Sequence, residues 1–458
     1  MSQYVPDTNA AVEITRRDQL LDYFAAGAKP RDQWRVGTEY EKVAVRVDDG
    51  RAVPYSGPKG IEALLNRLAD RYEWEPIEEE GHAVALRGGK AWITLEPGGQ
   101  LELSGEVCDN VHCAQAEFSR HITEIVSVGS ELDIAFLGLG MQPISRLEEI
   151  EWVPKVRYRI MAPHMLRVGT LGQRMMKQTA GVQVNVDYGG EADAMSKMRV
   201  AMGLVPVISA MFANSPLADG DLNGFKSFRG HIWTRTDPAR SGLLPFVFRS
   251  TAGFEDYVDY ALQVPMYFMV RDGRWFDMTA HTFADFLSNG HQGYRATMAD
   301  WSAHLTTLFP EVRLKGYLEL RFIDSQSPDL MLAAPALTKG LLYVDDCLLA
   351  AWDLVKRWSW EERLETYHAA HQRGLQARVR GILLAELARE VIAIGLEGLK
   401  RQQAVNARGE DESVYLEQLE HLVKRGECPA DRVIAKWMGE WDREPARLIA
   451  GSSYRIAA

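Results

Sequence analysis

Residues 36–47, VGTEYEKVAVRV, alternate in a way that predicts a β-strand, with Glu39 and Glu41 on one face and Thr38 and Tyr40 on the other. Three further stretches repeat the pattern. In TLEPGGQLELSG, Glu96, Gln100 and Glu102 share a parity opposed by Leu95, Leu101 and Leu103, although Pro97-Gly98-Gly99 interrupts the pleat. In GVQVNVDY, Gln183, Asn185 and Asp187 alternate with Val182, Val184 and Val186, and in GYLELRFID, Glu319 and Arg321 alternate with Leu318, Leu320 and Phe322. AVALRGGKAWITLEP (83–97) reads as a hairpin turning at Gly88 and Gly89. Helical spacing marks 61–74 and 112–132. AMGLVPVISAMFA reads as a buried core helix kinked at Pro206, and no segment approaches the roughly 20 apolar residues that span a bilayer. From about Leu341 onward Ala, Leu, Arg and Glu dominate, predicting a helical C-terminal cover over 341–458. Strands and helices follow no regular βαβ order, so the expected class is α+β with a largely antiparallel sheet. With no repeats and no long linker, 1–458 is expected to form a single catalytic body.

A solvated outer face is the plain explanation for any one of these strands. It fits the set less well, because Glu recurs and Lys is missing from the polar positions. Carboxylates converging from several strands need a counter-charge, and oxygen ligands without His or Cys clusters point to Mg²⁺, with Mn²⁺ as the alternative. The overall composition is that of a globular protein, with 46% hydrophobic and 25% charged residues. A net charge of −11 argues against nonspecific nucleic-acid binding, so a basic patch for a phosphate ligand has to be local. Residues 151–180 supply one, with six Lys or Arg and one acidic side chain. Cys108, Cys113, Cys347 and Cys428 are too few and too irregular for a disulfide framework or a zinc site, and are expected reduced and mostly core-filling. The N-terminal stretch MSQYVPDTNAAVEITRRDQLLDYF has no basic segment followed by an apolar run, so no secretory signal is expected and a cytoplasmic enzyme is the default. Neither a phosphate loop, nor a Gly-x-Gly-x-x-Gly turn, nor a nucleophile elbow, nor a His-Glu-x-x-His helix is found. The residues alone therefore lead to a Mg²⁺-dependent enzyme acting on a phosphate-containing ligand by positioning and electrostatic stabilisation.

The stretches VGTEYEK, LEPGGQLELSG, FLGLGMQP, KVRYRIM, VGTLG, GVQVNVD, FANSPL, HIWTRTDPARSGLLPFVF, YVDYALQVPMYF and YLELRFID carry a closer resemblance. In order and spacing over residues 36–324, the chain resembles the plant-type glutamate–cysteine ligases, within the glutamine-synthetase-like carboxylate–amine ligases. The resemblance implies a curved, largely antiparallel sheet that binds Mg²⁺ and ATP. It also implies that the γ-carboxylate of L-glutamate is joined to the amine of L-cysteine through γ-glutamyl phosphate, the first step of glutathione biosynthesis. A sister ligase using another amine, and a noncatalytic nucleotide- or metal-binding module, are the alternatives. Nucleic acid and membrane are not expected partners, and a monomer or homodimer is expected.

Carried over by position, the resemblance assigns Glu39, Glu41, Glu102 and Glu319 to Mg²⁺, with Glu96 as a weaker fifth candidate beside the Pro-Gly-Gly break. Gln183 stands where distant relatives place a metal-binding His, and is expected either to offer its carbonyl oxygen or to make a strand contact. Arg321, on the face of Glu319, suits a phosphate, with an ion pair to a neighbouring sheet carboxylate as the alternative. Lys155, Arg157 and Arg159 are expected to point one way from an extended segment towards a phosphate or a substrate carboxylate. Lys155, Arg157 and Arg321 are the catalytic candidates, and Arg159, Arg321 and Gln183 the nucleotide-binding ones. Arg167, His231 and Arg235 are candidate substrate contacts, the last two on a HIWTR strand that also carries Trp233 as a wall residue.

Overall fold

In the computed structural model, residues 12–456 are described. The first part of the N-terminal stretch read for a secretory signal lies outside them. One large sheet organises the molecule. Its strands, in chain order, are β1 (Val36–Arg46), β2 (Glu75–Glu79), β3 (His82–Gly88), β4 (Ala91–Leu95), β5 (Leu101–Ser104), β6 (Ile134–Leu137), β7 (Gly181–Val186), β8 (Val312–Leu314) and β9 (Leu318–Asp324). They pair in the order β8-β9-β7-β1-β5-β4-β3-β2, with β6 also on β1, and every pairing is antiparallel. The expected α+β class is therefore the observed one.

Register turns the parity of single strands into a shared surface. Glu41 lies opposite Glu102, Glu39 opposite both Ser104 and Gln183, Glu319 opposite Asn185, and Arg313 opposite Glu319. One irregularity falls at the far end. The β7–β9 register shifts between Leu320 and Ile323, so Ile323, not Phe322, takes the place opposite Val182. Such a bulge re-aims the side chains at its position, and the residues inside it are Arg321 and Phe322.

The other face of the sheet is closed by helices. α1 (Ile61–Arg71) and α2 (Val111–Glu131) match the two helical periods, and α3 (Val156–Val168) follows the basic segment. α4 (Glu191–Met211) packs against β9 and contains Pro206. It is long and apolar enough to cross a membrane by length and composition, contrary to the sequence expectation, but 89% of its apolar window is buried, as a core helix requires. α5 (Phe228–Trp233) precedes α6 (Ala333–Leu342), which packs on β7 and β1 and is covered by α7 (Leu384–Gln402). The helical C-terminal part thus begins slightly before residue 341, and it contains one small hairpin, Arg378–Val379 with Ile382–Leu383.

Two expectations are corrected. HIWTR is not a strand: residues 228–233 form α5. Cys108 and Cys113 are joined by a disulfide, whereas Cys347 and Cys428 are free and buried as expected. The disulfide was missed because four irregularly spaced cysteines carry no framework signal, while the fold brings residue 108, paired with Val36, onto the first turn of α2.

Candidate active site

Glu39, Glu41, Glu96, Glu102 and Glu319 are all buried. Glu96 stands in the turn between β4 and β5, closed by Gly99 N–H donating to Glu96 O at 2.9 Å and Glu96 N–H donating to Gln100 O at 3.0 Å. Gly98 lets this turn press against the segment at Lys177, where a Cβ would overlap the carbonyl of residue 177. Glu96 lies within electrostatic reach of Glu41, whose proton affinity it raises. Burial, reinforced by Glu96 and Glu102, pushes Glu41 up to about 7. Burial with Glu319 and Glu102 does the same to Glu39. Both carboxyls are held by neighbouring amides: Asn185 Nδ2 donates to Glu39 Oε1 at 3.2 Å, and Gly181 N and Gln183 Nε2 donate to Glu41 at 2.5 and 3.1 Å. Thr94 Oγ1 donates to Glu102.

Glu319 differs. Arg313 Nη2 donates to both of its carboxylate oxygens at 2.6 and 2.8 Å, Arg313 Nε adds a contact at 3.2 Å, Lys315 Nζ lies at 2.9 Å, and Arg321 Nη1 donates as well. Burial pushes its proton affinity up, but these three cations hold it well below the usual carboxylate range. A carboxylate offers about four lone-pair sites. Those of Glu319 are occupied by these contacts. Gln183 has its Nε2 on Glu41 and its Oε1 accepting from Arg321, which makes it a bridge between two site residues, the cross-strand contact being one of the two roles expected of it.

The basic candidates separate. The segment from Val156 is helical, so Lys155, Arg157 and Arg159 do not share a direction. Lys155 donates to Leu95 O at 2.9 Å beside the Glu96 turn, and burial, aided by Arg157, pushes its ammonium down to about 7. Arg157 lies within electrostatic reach of Glu96, and its buried Nε has no hydrogen-bond partner. Arg159 is exposed and paired with Glu80, Arg167 is exposed against Thr279, and Arg235 is exposed. His231 stacks on Phe225 with ring centroids 4.3 Å apart. Arg159, Arg167 and Arg235 thus lie at the exposed surface, and His231 is half-buried. Arg321 stays in place, with its guanidinium 5.9 Å from the Trp233 ring and 5.5 Å from that of Phe309.

The sequence reading passed over Arg229, Arg313 and Lys315. Arg229 is buried on α5, donates to Arg321 O at 2.9 Å and lowers the proton affinity of Glu41, while its Nε and Nη1 lack hydrogen-bond partners. Its spacing of four from Trp233, whose indole N–H is also unpartnered, places both on one helix face. Reading 231–235 as a strand concealed that spacing.

Several of the buried side-chain atoms without a hydrogen-bond partner belong to residues of this face, although Arg229 Nη1 is also 3.9 Å from Asp324 Oδ1. Glu39 Oε2 and Asn185 Oδ1 are buried acceptors, and Arg157 Nε, Arg229 Nε and Nη1, Arg321 Nε and Trp233 Nε1 are buried donors. Among the described residues no group of three or more His, Cys, Asp or Glu side chains is arranged to hold a metal ion by itself. Paired strands set these carboxylates apart by the sheet spacing, so a hard cation here would need oxygens from an anionic ligand to complete its shell, as Mg²⁺ commonly does.

The family model "Glutamate-cysteine ligase family 2 (GCS2)" matches residues 35–450. The chain is 43% identical over 442 residues to the chloroplastic glutamate–cysteine ligase of Arabidopsis thaliana, covering 95% of this chain and 83% of that one. It is 42% identical over 440 residues to that of Medicago truncatula, covering 95% and 85%. A crystal structure of a glutamate–cysteine ligase from Francisella tularensis in complex with AMP has a similar fold, with a TM-score of 0.53 at 13% identity, covering 93% of this chain and 90% of that one. The plant relatives are chloroplastic by name, which overturns the default of a cytoplasmic location.

Proposed function

The chain belongs to glutamate–cysteine ligase family 2 and is a glutamate–cysteine ligase, and we propose that its acidic sheet face is where ATP and divalent cations drive the coupling. A noncatalytic binding module falls away with that membership. The observation that carries the proposal is the register that places Glu41 opposite Glu102 and Glu39 opposite Gln183 on one buried sheet face, with buried arginines beside it.

Glu39, Glu41 and Glu102, with Glu96 beside them, would hold Mg²⁺ together with phosphate oxygens of the nucleotide. When bound, the cation would neutralise the triphosphate and stabilise the charge on the transferring phosphoryl group. Glu39 and Glu41 fit this role, since burial and repulsion from neighbouring carboxylates favour their protonated forms unless a positive charge is near. The γ-carboxylate of glutamate attacks the γ-phosphorus of ATP and ADP departs. The cysteine amine then attacks the acyl carbon of γ-glutamyl phosphate, phosphate departs, and the amine loses a proton. The protein needs no nucleophile of its own. Arg157 and Arg229, at the Glu41 end, orient an anionic part of the amino-acid substrate, and Lys155 fixes the Glu96 turn through Leu95. Arg321, between the two ends and braced by Gln183, meets the phosphoryl group.

ADP release from purified protein, Mg²⁺ and ATP tests this reading. Release is expected to need glutamate and cysteine together, with ammonia and putrescine inactive. Equal release with ammonia would replace the cysteine reading by that of a ligase for another amine.

A further inference from the structure

The coupling leaves one proton without an acceptor. Cysteine arrives as an ammonium, and its nitrogen has no lone pair for the acyl carbon until a proton is removed. Arg321 N–H donates to Glu311 O at 3.0 Å, one residue beyond the paired Val312 and Leu320. That register puts the Glu311 side chain on the face that carries Arg313, Glu319 and Arg321. Glu311 is buried, and its carboxylate accepts from the hydroxyl of Tyr367, on the helix Trp360–Arg373. Arg229 and Arg321 are near enough to lower its proton affinity, yet their ion pairs go to Asp324 and Glu319. Arg229 acts on Glu41 in the same way, so Glu311 shares that guanidinium with the carboxylate end of the face.

The other buried acids and bases nearby are less suited to take a proton. Asp324 accepts from Asn214 N–H, Ser215 Oγ and Ser227 Oγ, and three cations hold Glu319 low. His371 packs on Tyr367 with ring centroids 4.4 Å apart, and burial pushes it down to about 3, so it cannot keep a proton at neutral pH. Burial moves Glu311 the other way, raising its proton affinity against the opposing Tyr367 hydroxyl and the two guanidinium groups. A carboxylate that takes a proton from an ammonium needs a shift in that direction.

We propose that Glu311 is the general base for the amine, its carboxylate receiving the cysteine ammonium and taking one proton from it. This rests on the reading that the acidic face couples glutamate to cysteine through γ-glutamyl phosphate. The freed lone pair forms the C–N bond at the acyl carbon, the C–O bond to phosphate breaks, and phosphate leaves with that electron pair. Of the three ammonium protons, one stays on the new amide, one goes to Glu311 and one leaves on hydrogen phosphate. Glu311 returns its proton to water after the product departs. The groups that set its titration are Arg321 on β9, Arg229 on α5, and Tyr367 backed by His371 on the helix Trp360–Arg373.

Glu311→Gln keeps an oxygen for the Tyr367 hydroxyl, and steady-state kinetics with each substrate varied in turn, over a range of pH, provide the test. At pH 7 kcat/KM for cysteine is expected to fall about a hundredfold or more, while KM for ATP and for glutamate change little. The deficit should shrink by about tenfold per pH unit, as cysteine arrives increasingly as the free amine. A deficit of one size at every pH, an equal loss in the KM for glutamate, or wild-type kcat/KM at pH 7 would overturn the inference. If Glu311→Gln does not fold, Tyr367→Phe decides. Loss of that donor raises the proton affinity of Glu311, so the acid limb of kcat/KM for cysteine moves to higher pH, and an unmoved limb would also overturn it. A wild type without cysteine-dependent ADP release would instead overturn the underlying reading.

Discussion

Glu41 faces Glu96 and Glu102 inside the protein, and that crowding defines its task better than any hydrogen bond does. Three carboxylates brought together away from water are stable only with protons or cations between them. Glu41→Gln should therefore keep the fold, because the amide oxygen can still accept from Gly181 N–H, while turnover falls by about two orders of magnitude, as expected when charge stabilisation of a transition state is lost. Near-normal turnover of this variant at limiting Mg²⁺ would contradict the metal role. Arg157→Met should raise the KM for glutamate by about tenfold or more while changing the KM for ATP little, the pattern of a lost substrate hydrogen bond to a charged group. Steady-state kinetics with each substrate varied in turn would separate the two. At this scale the sequence was legible wherever alternation alone decides a side chain's direction, as for Glu39, Glu41 and Glu102. It left open which of two roles Gln183 takes and what surrounds the oxygens of Glu319. Parity puts a residue on a face but does not say which neighbour will occupy its oxygens, and Arg313 arrives from a three-residue strand.

Elements were read well where a single period runs long. β1, α1, α2 and α4 appear close to their expected places, since each has a continuous apolar stripe or alternation. The short basic segments failed. KVRYRIM looks alternating over a few residues, yet Val156–Val168 is helical, with Val156 N–H donating to Glu79 Oε2 at 2.9 Å at its start. HIWTR likewise belongs to a six-residue helix too short to show a period. The turn between β4 and β5 was legible as a break but not in its direction, because its shape depends on packing against residue 177. Gly98→Ala tests that dependence. The added Cβ has no room, so thermal stability should drop by about 1–3 kcal/mol, and activity should fall as Glu96 is displaced from Glu41. Differential scanning fluorimetry with turnover measured at a permissive temperature would check both effects.

Over the whole molecule, opposing titrations set the response to pH. His304 and His371 are buried, and burial pushes both down to about 3, far below the usual 6.5. The unfolded chain binds more protons than the native one between those values, so the stability they contribute is present above pH 6.5 and lost as pH falls towards 3. Glu39 and Glu41 act with the opposite sign. Raised from 4.5 to about 7, they bind more protons in the native state, so without cations stability decreases as pH rises through that window. Mg²⁺ should relieve this cost, giving a larger increase in Tm at pH 8 than at pH 6, and an equal increase at both would count against these carboxylates as the site. The antiparallel sheet with its helical cover was legible at this scale because the apolar faces of several strands demanded a common lid. The Cys108–Cys113 disulfide was not, because its closure depends on a loop returning to the start of β1.

The measurement that bears most directly on the central claim is the anomalous scattering of Mn²⁺ in crystals of the protein with glutamate and a non-hydrolysable ATP analogue. Peaks among Glu39, Glu41 and Glu102, each shared with phosphate oxygens, are the predicted result. Manganese bound elsewhere, with the acidic sheet face empty while the nucleotide is in place, would contradict it.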